Sequence, residues 1–227
     1  MTALLSASEA AELRIALDSI GVRLEALLEE PDTEVALFGS RAVGLQRPGS
    51  DWDIVCTRAG RSRHSRSVDL LFVTPAVLES NEWLGSEIAQ HIARYGRWIA
   101  GKPAWAEGVF ASGAAVDRKR RLIEDRAALV HGKWQRLGPV FRERHATLLR
   151  RDLQRLVVLA QGYPVPPTPV LDDGFAPAFD PVVPANASLI ESPIIRELVR
   201  RDVLECIRSM LFITPSRTPI GGSEVDR

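Results

Sequence analysis

Three acidic residues set the chemical question. Asp51 and Asp53 stand one residue apart in DWDIVCT (51 to 57), and Asp69 lies in SVDLLFV (67 to 73), two short apolar runs that read as strands. Residues i and i+2 of a strand share a face, so Asp51 and Asp53 project together. Two adjacent carboxylates repel and raise each other's pKa unless a cation sits between them. That arrangement asks for a metal, and hard oxygen ligands on a strand suit Mg2+, which keeps several waters and is commonly shared with substrate phosphates. Asp69 is an acid in an apolar strand where nothing structural requires one. If its strand pairs beside 51 to 57, all three acids converge.

Gly39 and Ser40 supply the other half. They follow the short buried strand EVALF (34 to 38) and precede RAVGL. A strand that passes through a small-residue turn into a helix leaves backbone N–H groups pointing at an anion. Gly39 permits close backbone approach, and the Ser40 hydroxyl can donate a hydrogen bond and cap the short helix. Arg41, next in line, is placed to touch phosphate or to face solvent. Phosphates beside metal-binding carboxylates imply phosphoryl or nucleotidyl transfer, in which two ions about 4 Å apart stabilise the attacking and leaving oxygens.

The elements that must position these residues are legible as patterns. Ser6 and Glu9 form a capping-box signal, and Leu13, Leu17, Ile20, Leu24 and Leu27 follow at helical spacing, which predicts one helix over residues 7 to 29. An amphipathic helix is expected over 79 to 95, stopped by Gly96, with a short strand RWIAG after it. Beyond Gly113 the character changes to long Arg-rich helices, at about 114 to 136 and 140 to 161. The expected organisation is a first domain over 1–110, a helical domain over 111–213 and a flexible tail over 214–227. The helical part contains a segment with seven prolines, 163–184, too proline-rich to continue a helix and a candidate lid. A last helix is expected near 186 to 212.

Composition restricts the classes. The chain has 227 residues, 45% of them hydrophobic and 26% charged, enough for a real core and unlike a disordered chain. Its 29 basic and 29 acidic side chains cancel, so overall charge indicates neither a nucleic-acid protein nor a membrane-surface one. The polarity is local: residues 115 to 155 hold 12 Lys/Arg against 5 Asp/Glu. Cys56 and Cys206, far apart in apolar stretches, suit buried thiols in a reducing compartment. With no signal-like N-terminus and no long apolar run, the expected location is the cytoplasm, with no membrane contact.

The ordered combination in LFGSRAVGLQRPGSDWDIV (37 to 55), followed by Asp69, resembles the nucleotidyltransferase superfamily typified by DNA polymerase beta. It looks most like the small bacterial members, the minimal and aminoglycoside-type enzymes. The likeness is close over residues 34 to 73 and looser to 101. It implies an α/β (α+β) fold, a mixed sheet flanked by helices, followed by a C-terminal helical domain that contacts the acceptor. It also implies that Gly39 and Ser40, with Arg41 beside them, hold the triphosphate of a nucleoside triphosphate, ATP by default. Asp51 and Asp53 would bind two Mg2+ ions, and Asp69 would help a metal activate the acceptor hydroxyl. Trp52 stands where an aliphatic residue is common between the paired acids.

The acceptor is left open among RNA, a partner protein as in toxin–antitoxin pairs, and a small molecule such as an aminoglycoside; a non-catalytic nucleotide-binding module is the remaining alternative. The basic loop Arg58, Arg61, Arg63 and Arg66 is no part of the resemblance, and reads either as a solvated turn or as a phosphate contact. RAALVH (126 to 131), with Arg126 and His131 five apart, resembles the motif of HEPN ribonucleases, a spacing that also arises by chance in an Arg-rich helix. His64, His91 and His145 lack metal-ligand spacing and read as ordinary.

Overall fold

The computed structural model describes residues 5–29, 33–101, 103–133 and 136–174. The expected last helix near 186 to 212, the tail, Cys206 and most of the proline-rich segment lie outside them.

A five-stranded mixed sheet organises the molecule. Its strands are β1 (Val35–Phe38), β2 (Trp52–Cys56), β3 (Arg63–His64), β4 (Val68–Phe72) and β5 (Arg97–Ala100), in the order β3-β4-β2-β1-β5. Only β2 and β4 run parallel; the other neighbours are antiparallel. Side-chain alternation sorts the two faces. On one, Val35, Leu37, Trp52, Ile54, Val68 and Leu70 pack against Leu13, Leu17, Leu24 and Leu27 of α1 (Ala7–Asp18) and α2 (Leu24–Leu28). On the other, Ala36, Phe38, Val55 and Val73 meet Leu78, Trp83, Ala89 and Ile92 of α4 (Pro75–Leu78), α5 (Asn81–Leu84) and α6 (Glu87–Tyr95). The short α3 (Gly39–Ala42) follows β1 directly.

Two expected helices are broken, for local reasons. The run expected over 7 to 29 divides into α1 and α2 because Gly21 takes a left-handed conformation, φ 68°, that a side chain would resist. The Ser6–Glu9 capping box at its start is present. The run expected over 79 to 95 begins with α5, whose Ser80 hydroxyl accepts from Trp83 N–H, and restarts at α6, where Ser86 accepts from Ala89 N–H. Two serine caps thus make two helices where hydrophobic spacing suggested one.

Behind the α6 face stand two long helices, α7 (Gly113–Lys133) and α8 (Pro139–Ala160), with Pro139 in the first turn of α8 where its missing N–H costs nothing. The chain then turns back along 163–167 into α9 (Thr168–Gly174). The proline-rich segment is therefore helical in part, with Pro169 in the first turn.

Candidate functional site

Asp53 sits on β2 directly opposite Phe38, the last residue of β1, so the strand end that carries the paired acids abuts the Gly39 turn. Gly39 has φ 71°, and a Cβ there would lie 2.0 Å from Asp53 Oδ2. Only glycine admits both the conformation and the carboxylate, so turn and acid are built as one unit. The parallel pairing of β2 with β4 places Asp69 beside Asp53 in register.

The consequence is electrostatic. Burial pushes the Asp53 carboxyl up to about 7, and repulsion from Asp51 and then Asp69 adds to the shift, against a smaller opposing pull from Arg155. A carboxylate so disfavoured in its charged form is what a bound cation would relieve. Among the described residues, however, no group of three or more His, Cys, Asp or Glu is arranged to hold an ion by itself. Asp51 and Asp53 both line the cleft described below, whereas Asp69 does not; it is half-exposed, with His64 Nδ1 at 3.8 Å. The donor set suits Mg2+ in its open form, one or two carboxylates with the remaining positions left to water and phosphate.

A cleft of about 740 Å3 opens in front of these acids. Gly39, Ser40, Asp51 and Asp53, with Arg47 beside them, form its sheet wall, and Arg118 and Lys119 of α7 with Arg151 and Arg155 of α8 form the wall opposite, with Glu87 of α6 paired to Lys119. The cleft thus sets carboxylates against guanidinium and ammonium groups across a space large enough for a small ligand. Lys119 is buried and bridges Glu87 at 2.8 Å and Asp152 at 3.5 Å, Arg155 stands 3.9 Å from Glu87, and Arg126 pairs with Asp152. Arg118 is exposed and is drawn into no such pair among the described residues.

Arg41 is placed elsewhere. Its guanidinium donates to the carbonyls of Ser50 (3.0 and 3.2 Å) and Asp51 (3.1 Å), reaches Glu12 at 3.4 Å and stacks 4.2 Å over the Trp52 ring. It clamps the 44–51 loop from the α1 side and is not among the residues lining the cleft. Trp52 supplies the flat surface for that clamp, which an aliphatic side chain would not. Arg126 is tied to Asp152, and the His131 side chain lies outside what is described.

His91, read from the sequence as ordinary, lies at the centre. Its Nε2 accepts the Gly39 N–H at 3.2 Å, while Nδ1 lies 2.6 Å from the Val165 carbonyl, a pairing that fixes the proton on Nδ1. The N–H expected to await an anion is therefore already held. Burial keeps the imidazole below its ordinary pKa. The signal was absent from the sequence because the partners lie 52 and 74 residues away.

Residues 22–94, which hold the turn, the three acids and His91, match the family model of the nucleotidyltransferase domain. Over those residues the chain is similar to a nucleotidyltransferase domain. It is accordingly a transferase enzyme, and the domain contributes the sheet wall of the cleft while α7, α8 and the 165–169 arm, outside the match, contribute the other. No curated protein matches the chain. A solved structure described as "Crystal structure of the toxin-antitoxin with AMP-PNP" is 18% identical over 53% of this chain and 94% of its own, with a TM-score of 0.25. Among the described residues no helix is long and apolar enough to cross a membrane.

Proposed function

We propose that the enzyme moves a nucleoside monophosphate, AMP by default, from a nucleoside triphosphate to an acceptor hydroxyl in a Mg2+-dependent reaction. The observation that carries the reading is the carboxylate pair Asp51 and Asp53 facing a cationic wall across the cleft. The acceptor oxygen attacks the α-phosphorus in line, the bond to the bridging oxygen breaks, and pyrophosphate leaves with that oxygen. Mg2+ held by Asp51 and Asp53, with Asp69 behind them, would neutralise the charge that gathers on the triphosphate. Gly39 and Ser40 position the phosphates, and Arg118, Lys119, Arg151 and Arg155 draw the pyrophosphate end away from the acids. Asp69, beside Asp53 on β4 though outside the cleft lining, would help a metal activate the acceptor hydroxyl.

The first domain, 1–110, would then hold the chemistry, and the helical part that follows would choose the acceptor. A cationic wall repels a cationic aminoglycoside and favours an anionic acceptor, RNA above all, with a partner protein as the alternative. Buried Cys56, whose thiol is pushed up to about 12 by burial, suits a reducing cytoplasm. The test is incubation with each α-32P-labelled nucleoside triphosphate and Mg2+, offering RNA, cell protein and an aminoglycoside panel. Label should pass to RNA, or failing that to one protein, and disappear with Asp51→Asn; label on aminoglycosides alone would overturn the acceptor class, and full activity in Asp51→Asn the metal assignment.

A further inference from the structure

A second pocket, of about 350 Å3, lies between the α1–α2 turn and the β2–β3 loop. Arg23, Arg58, Arg61 and Arg63 line it together with Phe72 and Gly60, and no carboxylate is among its lining residues. In a chain whose basic and acidic side chains cancel, four guanidinium groups around one concavity with no acid are a local choice. All four cations are arginine and none is lysine, and the planar arginine fork matches phosphate oxygens two at a time.

The loop that carries them is built rather than loose. Gly60 lies flat on the Phe72 ring, where a Cβ would come within 2.6 Å of ring carbons. The Arg58 guanidinium stands 5.4 Å from that ring, and Ser62 Oγ accepts the Phe72 N–H at 3.0 Å. Arg63 donates to the Ile20 carbonyl, tying the loop to the α1–α2 turn, and β3 pairs the loop's far end to β4. Arg23 and Arg61 are exposed and make no side-chain hydrogen bond among the described residues, Arg23 being held only by a weak electrostatic pull from Glu25, so both are available to an anion in the pocket.

The pocket is also separate from the cleft. Asp53 is the second residue of β2 and Arg58 lies two beyond its end, so five residues at about 3.3 Å each put roughly 17 Å between them. A mononucleotide cannot reach both, whereas five or so nucleotides of a strand, at about 3.4 Å each, can.

We infer that this pocket is a phosphate-binding exosite that seats the backbone of a single-stranded nucleic acid. It neutralises backbone phosphates without reading bases, so binding is electrostatic, weakly sequence-selective and steeply salt-dependent. The inference stands on the pocket and its distance from the cleft and does not need the transfer reaction.

The experiment is fluorescence anisotropy of a labelled single-stranded RNA 12-mer, with the DNA of the same sequence, polyglutamate and anionic vesicles as competitors, across a salt series. The wild-type chain should bind RNA and DNA and ignore the other two. Arg23→Ala combined with Arg61→Ala should weaken binding at least tenfold and flatten the log–log salt slope by about 1.4, two single-strand phosphate contacts' worth. Arg61→Glu alone should weaken it in the same direction, which keeps the test available should the double variant misfold. Addition of ATP with Mg2+ should raise the melting temperature of wild type and variants alike, so failure at the cleft is distinguishable from failure here. No RNA binding by wild type, unchanged affinity and slope in the variants, or equal competition by polyglutamate or vesicles would each overturn the exosite.

Discussion

Gly39 carries two constraints at one atom. Its left-handed backbone, φ 71°, costs an L-residue about 1–2 kcal/mol, and the added Cβ would meet Asp53 Oδ2 at 2.0 Å. The carboxylate is the movable partner, so Gly39→Ala should resolve the clash by displacing Asp53 rather than by unfolding the chain. The expected melting-temperature loss is about 2–8 °C, while label transfer falls more than a hundredfold. Transfer that merely tracked the small stability loss would show that Asp53 tolerates displacement. Asp53 itself has a pH signature. Its folded pKa, about 7, lies above its ordinary 3.8, so the folded chain binds more protons in that window and stability falls as pH rises through it. In metal-free buffer, Asp53→Asn should therefore match wild type near pH 4 and melt higher above pH 7, and Mg2+ should raise only the wild type at pH 8. A constant offset between the two proteins from pH 4 to 8 would remove the charge explanation.

At the scale of elements, His91 ties α6, the Gly39 turn and the segment between α8 and α9 into one joint. Protonation at Nε2 would set one donor against another at Gly39 N–H. The groups facing the ring are Gly39, the Val165 carbonyl, Phe38 and Tyr95, with Glu87 and Arg155 acting at longer range. Because its folded pKa is lowered, the joint's stability is present above pH 6.5 and is lost as pH falls through the folded pKa, opposite in sign to Asp53. His91→Phe keeps the ring packing and loses both hydrogen bonds, so melting curves taken from pH 7 down to 5 should lose the acid-side decline; a decline as steep as wild type's would place the titrating group elsewhere. The Lys119, Glu87, Asp152 and Arg126 network joins α6, α7 and α8 in the same region. Asp152→Ala would leave Arg126 without its carboxylate and Lys119 with Glu87 alone, and should cost about 1–3 kcal/mol, read as a lowered urea midpoint with an unchanged m-value. These joints explain what the sequence could and could not tell. Strand period two is local, so the shared face of Asp51 and Asp53 and the register of Asp69 beside Asp53 could be reasoned from order and spacing, whereas Asp69's place outside the cleft could not. Helix breaks at Gly21 and at the Ser80 and Ser86 caps are also local, yet they compete with hydrophobic periodicity and were outweighed by it. His91, the placement of Arg41 against Trp52 and the cationic far wall depend on partners many residues distant, which no spacing encodes.

On the scale of the whole molecule, the cleft has two walls from different parts of the chain, acids on the sheet side and cations on α7 and α8. A ligand that carries both a bound cation and free phosphates satisfies both walls at once, which neither inorganic phosphate nor Mg2+ alone can do. Mass action then sets the readout: a ligand at a hundred times its Kd stabilises the folded chain by about 2.7 kcal/mol. For a chain of this size that is about 5–11 °C in melting temperature. ATP with Mg2+ should give that shift, tripolyphosphate without metal a smaller one through the cationic wall, and Mg2+ alone a smaller one still. Asp51→Asn should remove the part that depends on Mg2+ and leave the tripolyphosphate shift; Arg118→Ala combined with Arg151→Ala should do the reverse. If both variants lost the same fraction of every shift, the ligand would be sensing general stability rather than two opposed walls, and the cleft would have to be read as a single-sided site.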